Sequence, residues 1–387
     1  MDFSLTEEQV MLKDSVAKFL ADNYAAEQRE AVLKQEAGFS AKHWASFSEL
    51  GWLTIPFSEE VGGFGGNVAD VSAVMEEFGK VLVVEPYWSS IVLAGQLIAR
   101  CTNEALKTRA MPQLISGEAQ YSFAWLEAQS SFSLSHVGAT ATKQGDSYCL
   151  NGQKNLVLNA SANYFLILAR SSDDVASESG ISLFVVDANN PALKKESVRL
   201  IDGQLACNIE FSDLLINQDD MLTAEGEAYP LIAEVVDEAL VALCAEAVGA
   251  MTYLYKATAE YANTRKQFGK PIGKFQALQH QLAEASCRAA AAEMAGKYAC
   301  RELDNNQFLA GAAVAKYTAS VAAKDVSRIG HQVFGAIGIT DEHELHYYTR
   351  RLWQWRAEAG NERYWSEQLG SKVLAAGSAQ LWSSLTA

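Results

Sequence analysis

The chain has 387 residues and a net charge of −16, from 31 basic and 47 acidic side chains. This acidity, with no basic stripe along the sequence, argues against a nucleic-acid-binding surface. No apolar stretch approaches the ~20 residues that cross a bilayer, and the acidic start MDFSLTEEQ lacks the order of an export signal, so we predict a cytoplasmic protein with no membrane segment.

Apolar residues make up 49 % of the sequence, and a chain of this length is predicted to form two or three domains or layers. The first, residues 1–118, is predicted to be helical. Ser4 and Glu7 have the spacing of a capping box, in which two side chains satisfy free amide groups at a helix start. The stretch 51–66 has too many glycines for a helix and is predicted to be an irregular connector.

Residues 119–225 change character, because short runs of β-branched, aromatic and leucine residues alternate with turn clusters. Asn151-Gly152 lies between two such runs, and this dipeptide favours a tight hairpin because both positions tolerate positive φ. We predict a compact antiparallel barrel or sandwich here. On patterning alone, a β-rich insertion with no ligand role stays an alternative.

Residues 226–387 return to long helical patterns. Apolar side chains recur there at spacings of three, four and eight residues, which predicts one helix face: Val314, Tyr317, Val321, Ile329 and Val333. The region is predicted to be a four-helix bundle. The predicted fold class is therefore α+β multidomain, with an N-terminal helical domain, a central antiparallel β-barrel and a C-terminal four-helix bundle.

The sequence offers no metal or disulfide pattern. Its six cysteines are scattered without a C-x-x-C spacing, and we predict reduced, mostly buried side chains. His343 and His346 are three residues apart and could share a helix face. Because two histidines without a third ligand favour a polar lining over a metal site, we predict no bound metal.

The stretch NTRKQFGKPIGKFQALQHQLAE, residues 263–284, has the pattern of a helix end, a basic turn and a second helix. It closely resembles the signature of the acyl-CoA dehydrogenase family at the start of its C-terminal bundle. AEAVGAM before it and HQVFGAIGIT after it stand at the family's distances. LTEEQ, the connector GW…PFSEEVGGFGG and NGQKNLVLNASANYFLILAR also match, so the resemblance covers nearly the whole chain and implies the helix–barrel–bundle fold.

The resemblance implies a flavoprotein that takes an acyl-CoA substrate and binds FAD at a subunit interface of a tetramer, with the flavin ring between barrel and bundle. It places Arg265 opposite the flavin pyrophosphate of a neighbouring subunit, where a guanidinium suits paired phosphate oxygens. Phe268 would lie against the cofactor beside it. Gln332 and Gly335 would contact the adenine-side half of the same FAD.

In the β region the resemblance places Trp125, Leu126, Leu156 and Leu158 at the flavin ring, and here the chain departs from the family pattern. Leu126 and Leu158 replace hydroxyl residues that normally bond the ring, and Leu156 replaces the aromatic residue that covers it. The run EAQSSFS, residues 127–133, replaces EPGAGSD, which helps to hold CoA and the flavin edge. We therefore expect the contacts to FAD on this side to differ from those of most family members.

The family's reaction is α,β-dehydrogenation of an acyl thioester, in which a carboxylate removes the α-proton while a hydride leaves the β-carbon for flavin N5. The base must lie in a dry pocket within hydrogen-bond reach of the α-carbon. In most members this glutamate precedes a Gly-Thr pair about nine residues after an arginine. Counted from Arg350, that slot is Ala359, and a second slot used by some members is Ala239.

Carboxylates flank both slots. Glu358 precedes Ala359, and Glu238 precedes Ala239, so each misses its slot by one residue. Such a shift on a helix rotates a side chain by roughly 100°. Glu362 lies beyond Gly360, and Glu246 is expected to be a helix-packing or charge-pair residue.

With alanine in both slots, the chain most resembles the small, glutamate-lacking subunit of heteromers such as pimeloyl-CoA dehydrogenase, which works with a homologous base-bearing subunit. Three alternatives stay open. The first is a self-sufficient acyl-CoA dehydrogenase, a dimer or tetramer of itself, whose Glu358 or Glu238 reaches the α-carbon. The second is another flavin reaction on this scaffold, such as that of a monooxygenase or desulfinase, and the third is a structural helical protein that has lost its cofactor.

Overall fold

The computed structural model describes residues 3–304 and 311–377, which divide into two compact units. The helical unit contains residues 3–23, 72–82, 240–304 and 311–377. The sheet unit contains residues 24–71 and 83–239. Each unit is therefore assembled from segments that are distant in sequence. No helix within the described ranges is both long and apolar enough to cross a bilayer.

The division into three consecutive domains, 1–118, 119–225 and 226–387, stays a prediction. Its residues 1–2, 305–310 and 378–387 lie outside the described residues. What the structure does show is the predicted order of element types along the chain: helices come first, strands follow, and helices return.

Among the described residues, six α-helices precede the strands: α1 (Glu7–Asn23), α2 (Ala26–Leu33), α3 (Ala41–Glu49), α4 (Val68–Val81), α5 (Gln96–Ala99) and α6 (Glu104–Ile115). The capping box predicted at Ser4 and Glu7 is wrong, because α1 begins only at Glu7. Thr6 and Gln9 form it instead: the Thr6 hydroxyl accepts from Gln9 N at 3.2 Å, and Gln9 Oε1 accepts from Thr6 N at 3.1 Å.

Seven strands form one mixed sheet in the sheet unit: β1 (Tyr121–Ala124), β2 (Thr140–Gln144), β3 (Ser147–Leu158), β4 (Tyr164–Arg170), β5 (Ile181–Asp187), β6 (Leu193–Arg199) and β7 (Leu205–Asn217). Their order is β1-β4-β2-β3-β7-β6, and β5 pairs with β4. Strands β1 and β2 run parallel to β4, whereas the other pairs are antiparallel.

The predicted antiparallel barrel is therefore wrong in two respects: the sheet is curled but open, and two of its pairings are parallel. Within the described residues no pairing closes β5 onto β6. The alternation of apolar and polar residues specifies which face of a strand is buried, but it does not specify the neighbouring strand. Strand content could be predicted, and closure could not.

The Asn151-Gly152 dipeptide lies inside β3, so the hairpin predicted there is wrong. The pairing of β3 with β7 shifts register next to Gly152, whose φ is 153°. A Cβ at this glycine would lie 2.6 Å from the Ala139 Cβ, so a close strand contact requires glycine here. The hairpin between β2 and β3 turns instead at Gly145, with φ 65°.

Five α-helices follow the sheet in the described ranges: α7 (Tyr229–Thr264), α8 (Gln276–Asp304), α9 (Gly311–Phe334), α10 (Leu345–Ala357) and α11 (Glu362–Ala376). The region is helical as predicted, but a count of four does not describe it. Helix α9 packs on α8, α10 and α11. Its buried face is rich in alanine and serine, whereas Tyr317 on the predicted apolar face is 40 % exposed.

Candidate functional site

Four residues predicted to face the flavin ring lie together at one end of the sheet. We call them the strand-end cluster: Trp125, Leu126, Leu156 and Leu158. The first two directly follow β1, and the Leu126 carbonyl accepts a hydrogen bond from Asn155 N at 2.8 Å. The Ser122 hydroxyl donates to the Leu158 carbonyl, which joins β1 to the end of β3.

Leu156 stands out in the strand-end cluster because its backbone is left-handed and its side chain is exposed. Its φ is 49° and 44 % of its surface is accessible. Its amide donates to Asn208 Oδ1 at 3.1 Å, at the register shift between Lys154 and Val157. A non-glycine residue in this region costs about 1–2 kcal/mol, and such strain concentrates at ligand sites.

A buried ion pair fixes the segments that carry the strand-end cluster. The fully buried Lys154 donates from Nζ to Glu127 Oε1 at 2.6 Å, and Glu127 also accepts from Gly138 N at 2.8 Å and Ala139 N at 3.0 Å. Burial lowers the pKa of Lys154 to about 8, although the Glu127 charge opposes this. Burial would raise the pKa of Glu127, but the Lys154 charge and the hydrogen bonds outweigh it, so the net shift is downward.

In the helical unit, a short hairpin after α7 presents Phe268 to solvent. Strands β8 (Lys266–Gln267) and β9 (Lys270–Pro271) flank a two-residue turn in which Phe268 has φ 53° and Gly269 has φ 78°. Phe268 is 92 % exposed, and Arg265, just before the hairpin, is exposed as well. The one ring contact of Phe268 among the described residues is an edge-to-face pair with Phe275, with centroids 6.2 Å apart, so most of the ring is free to meet a ligand.

Gln332 and Gly335 lie at the end of α9 and are both exposed. Gly335 has φ 64°, and a Cβ placed there would meet no atom within 4 Å. Beside it, the Phe334 ring stacks on Tyr261 at 4.3 Å between centroids. Because Tyr261 lies four residues before Arg265, this contact brings the end of α9 close to the hairpin.

Both predicted base slots hold alanine in ordered surroundings. Ala359 follows α10, is half-buried and has φ 50°; its carbonyl accepts from Trp365 Nε1 at 3.0 Å. Ala239 is fully buried on α7, and its carbonyl accepts from Trp88 Nε1 at 2.7 Å. Neither position offers a proton acceptor on its side chain.

The carboxylate next to Ala359 is held by an arginine. Arg351 Nη1 and Nη2 donate to the two Glu358 oxygens at 2.7 and 3.1 Å. The same guanidinium donates to both oxygens of Glu246, at 2.7 and 2.9 Å, which confirms Glu246 as a charge-pair residue. All three side chains are buried, and we call Glu246, Arg351 and Glu358 the buried ion triad.

The helical rotation predicted for Glu358 is wrong, because α10 ends at Ala357 and Glu358 is extended, with φ −75° and ψ 135°. The other two carboxylates near the slots are also paired with arginines. Glu238 accepts from Arg100 Nη1 at 2.7 Å, and Glu362 accepts from Arg356 Nε at 2.8 Å.

Lys316 on α9 is a fully buried cation that supports the same segment. Its Nζ donates to the Trp355 carbonyl at 2.7 Å and lies 3.4 Å from the centre of the Trp355 ring. Burial lowers the pKa of Lys316 to about 8, opposed by Cys244 and Glu358. Lys316 thus holds the last turn of α10, which leads to Ala359.

Three family models match almost the whole chain: acyl-CoA dehydrogenase, N-terminal domain, over residues 6–118; middle domain over residues 122–214; and C-terminal domain over residues 230–371. The chain belongs to the acyl-CoA dehydrogenase family. It is therefore an FAD-dependent oxidoreductase that acts on acyl-CoA, and the resemblance seen in the sequence is confirmed.

Relatives within the acyl-CoA dehydrogenase family are distant but full-length. The chain is 30 % identical to probable acyl-CoA dehydrogenase YngJ of Bacillus subtilis, over 89 % of this chain and 92 % of that protein. The butyryl-CoA dehydrogenase structure from Megasphaera elsdenii is 25 % identical, with a TM-score of 0.86 over 97 % of this chain and 100 % of that one. A variant of the Tcur3481-Tcur3483 steroid ACAD is also 25 % identical, with a TM-score of 0.86 over 96 % of this chain and 98 % of that one.

The residues predicted to bind FAD fit that cofactor in this acyl-CoA dehydrogenase. Phe268 offers an uncovered ring, and the open space at Gly335 lets a ligand approach the backbone closely. In the strand-end cluster, Leu126 and Leu158 have no side-chain donors, so contacts there would be apolar or would use backbone groups. These assignments stay proposals.

Two features of the site were not foreseen from the sequence. Arg351 and Lys316 are buried cations, and a lysine or arginine in a helical pattern normally predicts a solvated face. The signal that could have found Lys316 is its place among small residues in GAAVAKYTASVAA, a run with no other charge before Lys324. For Arg351 the signal was a second arginine directly after Arg350.

Proposed function

We propose that this chain is the base-lacking subunit of a heteromeric acyl-CoA dehydrogenase and requires a homologous subunit that carries the glutamate. One observation carries the proposal: both slots hold alanine, and Glu358, Glu238 and Glu362 are each bound to an arginine. A carboxylate held by a charge-assisted hydrogen bond must give up that bond before it can move to a substrate. None of the three is therefore suited to accept the α-proton.

The chain would still contribute to cofactor and substrate binding. Arg265 would bind phosphate oxygens, Phe268 would cover part of the cofactor, and the Gly335 backbone would approach it closely. The strand-end cluster would supply an apolar wall that excludes water. FAD, when bound, supplies the acceptor for the hydride that leaves the β-carbon.

A relative supports the heteromeric assignment. One of the structural neighbours at 25 % identity is a steroid ACAD whose name joins two components, Tcur3481 and Tcur3483. In a protein with two such components, one chain can bind FAD while the other carries the base.

Anaerobic mixing of the FAD-loaded chain with an acyl-CoA tests the proposal through the flavin absorbance. We expect no rapid bleaching by the wild-type chain and rapid bleaching after Ala359→Glu, which places a carboxylate in the slot. Ala359→Gln is the matched control, because it has the same size and cannot take up the proton as a carboxylate does. Rapid bleaching by the wild-type chain alone would contradict the proposal.

The same assay separates the alternatives. If Glu358 or Glu238 were a displaced base, wild-type bleaching would be lost in Glu358→Gln or Glu238→Gln. Reduction of the flavin by a flavin reductase but not by acyl-CoA, even after Ala359→Glu, would favour a different flavin reaction on this scaffold. Adding the base-bearing homologous subunit should restore bleaching to the wild-type chain.

A further inference from the structure

A cleft in the sheet unit shares no residue with the strand-end cluster or with either base slot. It lies between one face of α6 and the sheet and encloses about 360 Å³. We call it the α6 cleft. Its volume falls in the range of small-molecule sites, about 300–1,000 Å³.

The floor of the α6 cleft is aromatic. Tyr121 on β1 and Tyr164 on β4 stack with ring centroids 4.9 Å apart and ring planes 18° apart. Tyr121 is only 3 % exposed, and among the described residues neither hydroxyl has a protein hydrogen-bond partner. Burial raises the pKa of Tyr121 to about 12, so its hydroxyl stays protonated and can donate. The floor thus offers the half-buried ring of Tyr164 and the tyrosine hydroxyls.

The rim carries amide groups held in fixed directions. Asn190 Oδ1 accepts from Ala192 N at 3.0 Å, and Asn217 Oδ1 accepts from Asp219 N at 2.9 Å. These bonds fix both side chains and leave their NH₂ groups as donors. Gln113 on α6 adds a third amide to the lining.

Charge in the cleft is nearly balanced. Arg109 Nη2 donates to Asp220 Oδ1 at 2.6 Å, which neutralises the guanidinium. Asp187 adds one further carboxylate to the lining, and its Oδ1 accepts from Asn189 N at 2.8 Å. A lining with no excess positive charge disfavours an anion, and its many neutral donors favour a ligand rich in acceptors.

We propose that the α6 cleft binds a neutral polyhydroxylated molecule of sugar or cyclitol type. Its hydroxyl oxygens accept from the Asn190, Asn217 and tyrosine donors, while Asp187 and the amide oxygens accept its protons. Its C–H face lies on the half-buried ring of Tyr164. This site is independent of the proposed division of labour in dehydrogenation.

Saturation-transfer NMR on the full-length chain tests the site, with myo-inositol and D-glucose as probes and choline as a cationic comparison. Asn190→Asp keeps the oxygen that accepts from Ala192 N but removes the amide donors, so the turn is preserved. We expect it to weaken polyol binding about three- to tenfold, the effect of one lost neutral hydrogen bond. Asn189→Asp is the matched control: it adds the same charge in the same turn, outside the lining.

Weaker polyol binding by Asn190→Asp together with unchanged binding by Asn189→Asp supports the site. Three outcomes overturn it: no signal from either polyol, equal binding by the two variants, or a stronger signal from choline than from both polyols. Gln113→Ala, on the exposed side of α6, gives a second reading if Asn190→Asp lowers the folded yield.

Discussion

Replacing Arg351 by methionine should destabilise the helical unit strongly, because it leaves two buried carboxylates without their guanidinium partner. Arg351 is 5 % exposed, Glu246 is 6 % and Glu358 is 8 %, and the guanidinium makes four hydrogen bonds to them. Removing one partner of a buried pair costs about 3–5 kcal/mol, since the remaining charge has lost its compensation. Two carboxylates are left here, so Arg351→Met should fall at the upper end of this range.

The measurement is the free energy of unfolding from urea titration at neutral pH. The triple variant Arg351→Met, Glu246→Gln, Glu358→Gln is the control, because it removes the charges together and should recover most of the loss. A loss below about 1 kcal/mol for Arg351→Met, as seen for exposed ion pairs, would refute the reasoning. So would a triple variant no more stable than the single one.

Two further predictions concern Lys316 and Phe268. Burial lowers the pKa of Lys316 from 10.5 to about 8, so between these pH values the unfolded chain binds more protons than the folded chain. The free energy of unfolding should therefore rise with pH through that window by roughly 3 kcal/mol. Lys154 has the same shift, whereas the buried thiols of Cys207 and Cys244, whose pKa values burial raises from 9.0 to about 11 and about 12, oppose the rise above pH 9.0. Lys316→Met should therefore about halve the rise seen in urea titrations between about pH 7 and pH 9, and an unchanged rise would contradict this. Phe268→Gly should leave the free energy of unfolding unchanged, because the side chain is 92 % exposed and glycine suits φ 53°. The same substitution should weaken FAD retention about three- to tenfold, because an aromatic contact to the cofactor is lost. Leu374→Ala, at a position 82 % exposed, is its control in a flavin-to-protein ratio measured after gel filtration.

The sequence predicted element types better than their partners. The strands of the sheet unit were predictable because alternation of apolar residues is a local property, whereas the parallel pairings of β4 with β1 and β2 join segments far apart in the chain. Asn151-Gly152 misled for a related reason: glycine serves both a tight turn and a close strand contact, and only the position of Ala139 decides between them. Local patterns cannot contain that information.

The candidate site was predictable where it depends on position along a motif. Family resemblance located Ala359, Ala239 and the strand-end cluster, and the structure brings that cluster together at one sheet end. The resemblance did not show which side chains bind the neighbouring carboxylates. That depends on Arg351 and Arg100, which reach Glu358 and Glu238 across seven and 138 residues of sequence.

The buried ion triad also sets a limit on any displaced base. For Glu358 to reach a substrate it must leave Arg351, and separating such a pair costs about 3 kcal/mol or more. That cost corresponds to fewer than about one molecule in a hundred with a free Glu358, since each 1.4 kcal/mol is a factor of ten. The segment is held further by Trp365 at the Ala359 carbonyl and by Lys316 at the Trp355 carbonyl. A segment held at Trp355, Glu358 and Ala359 and lacking a base is better suited to form a fixed wall of the site than to move a carboxylate into it. This favours a partner subunit as the source of the proton acceptor.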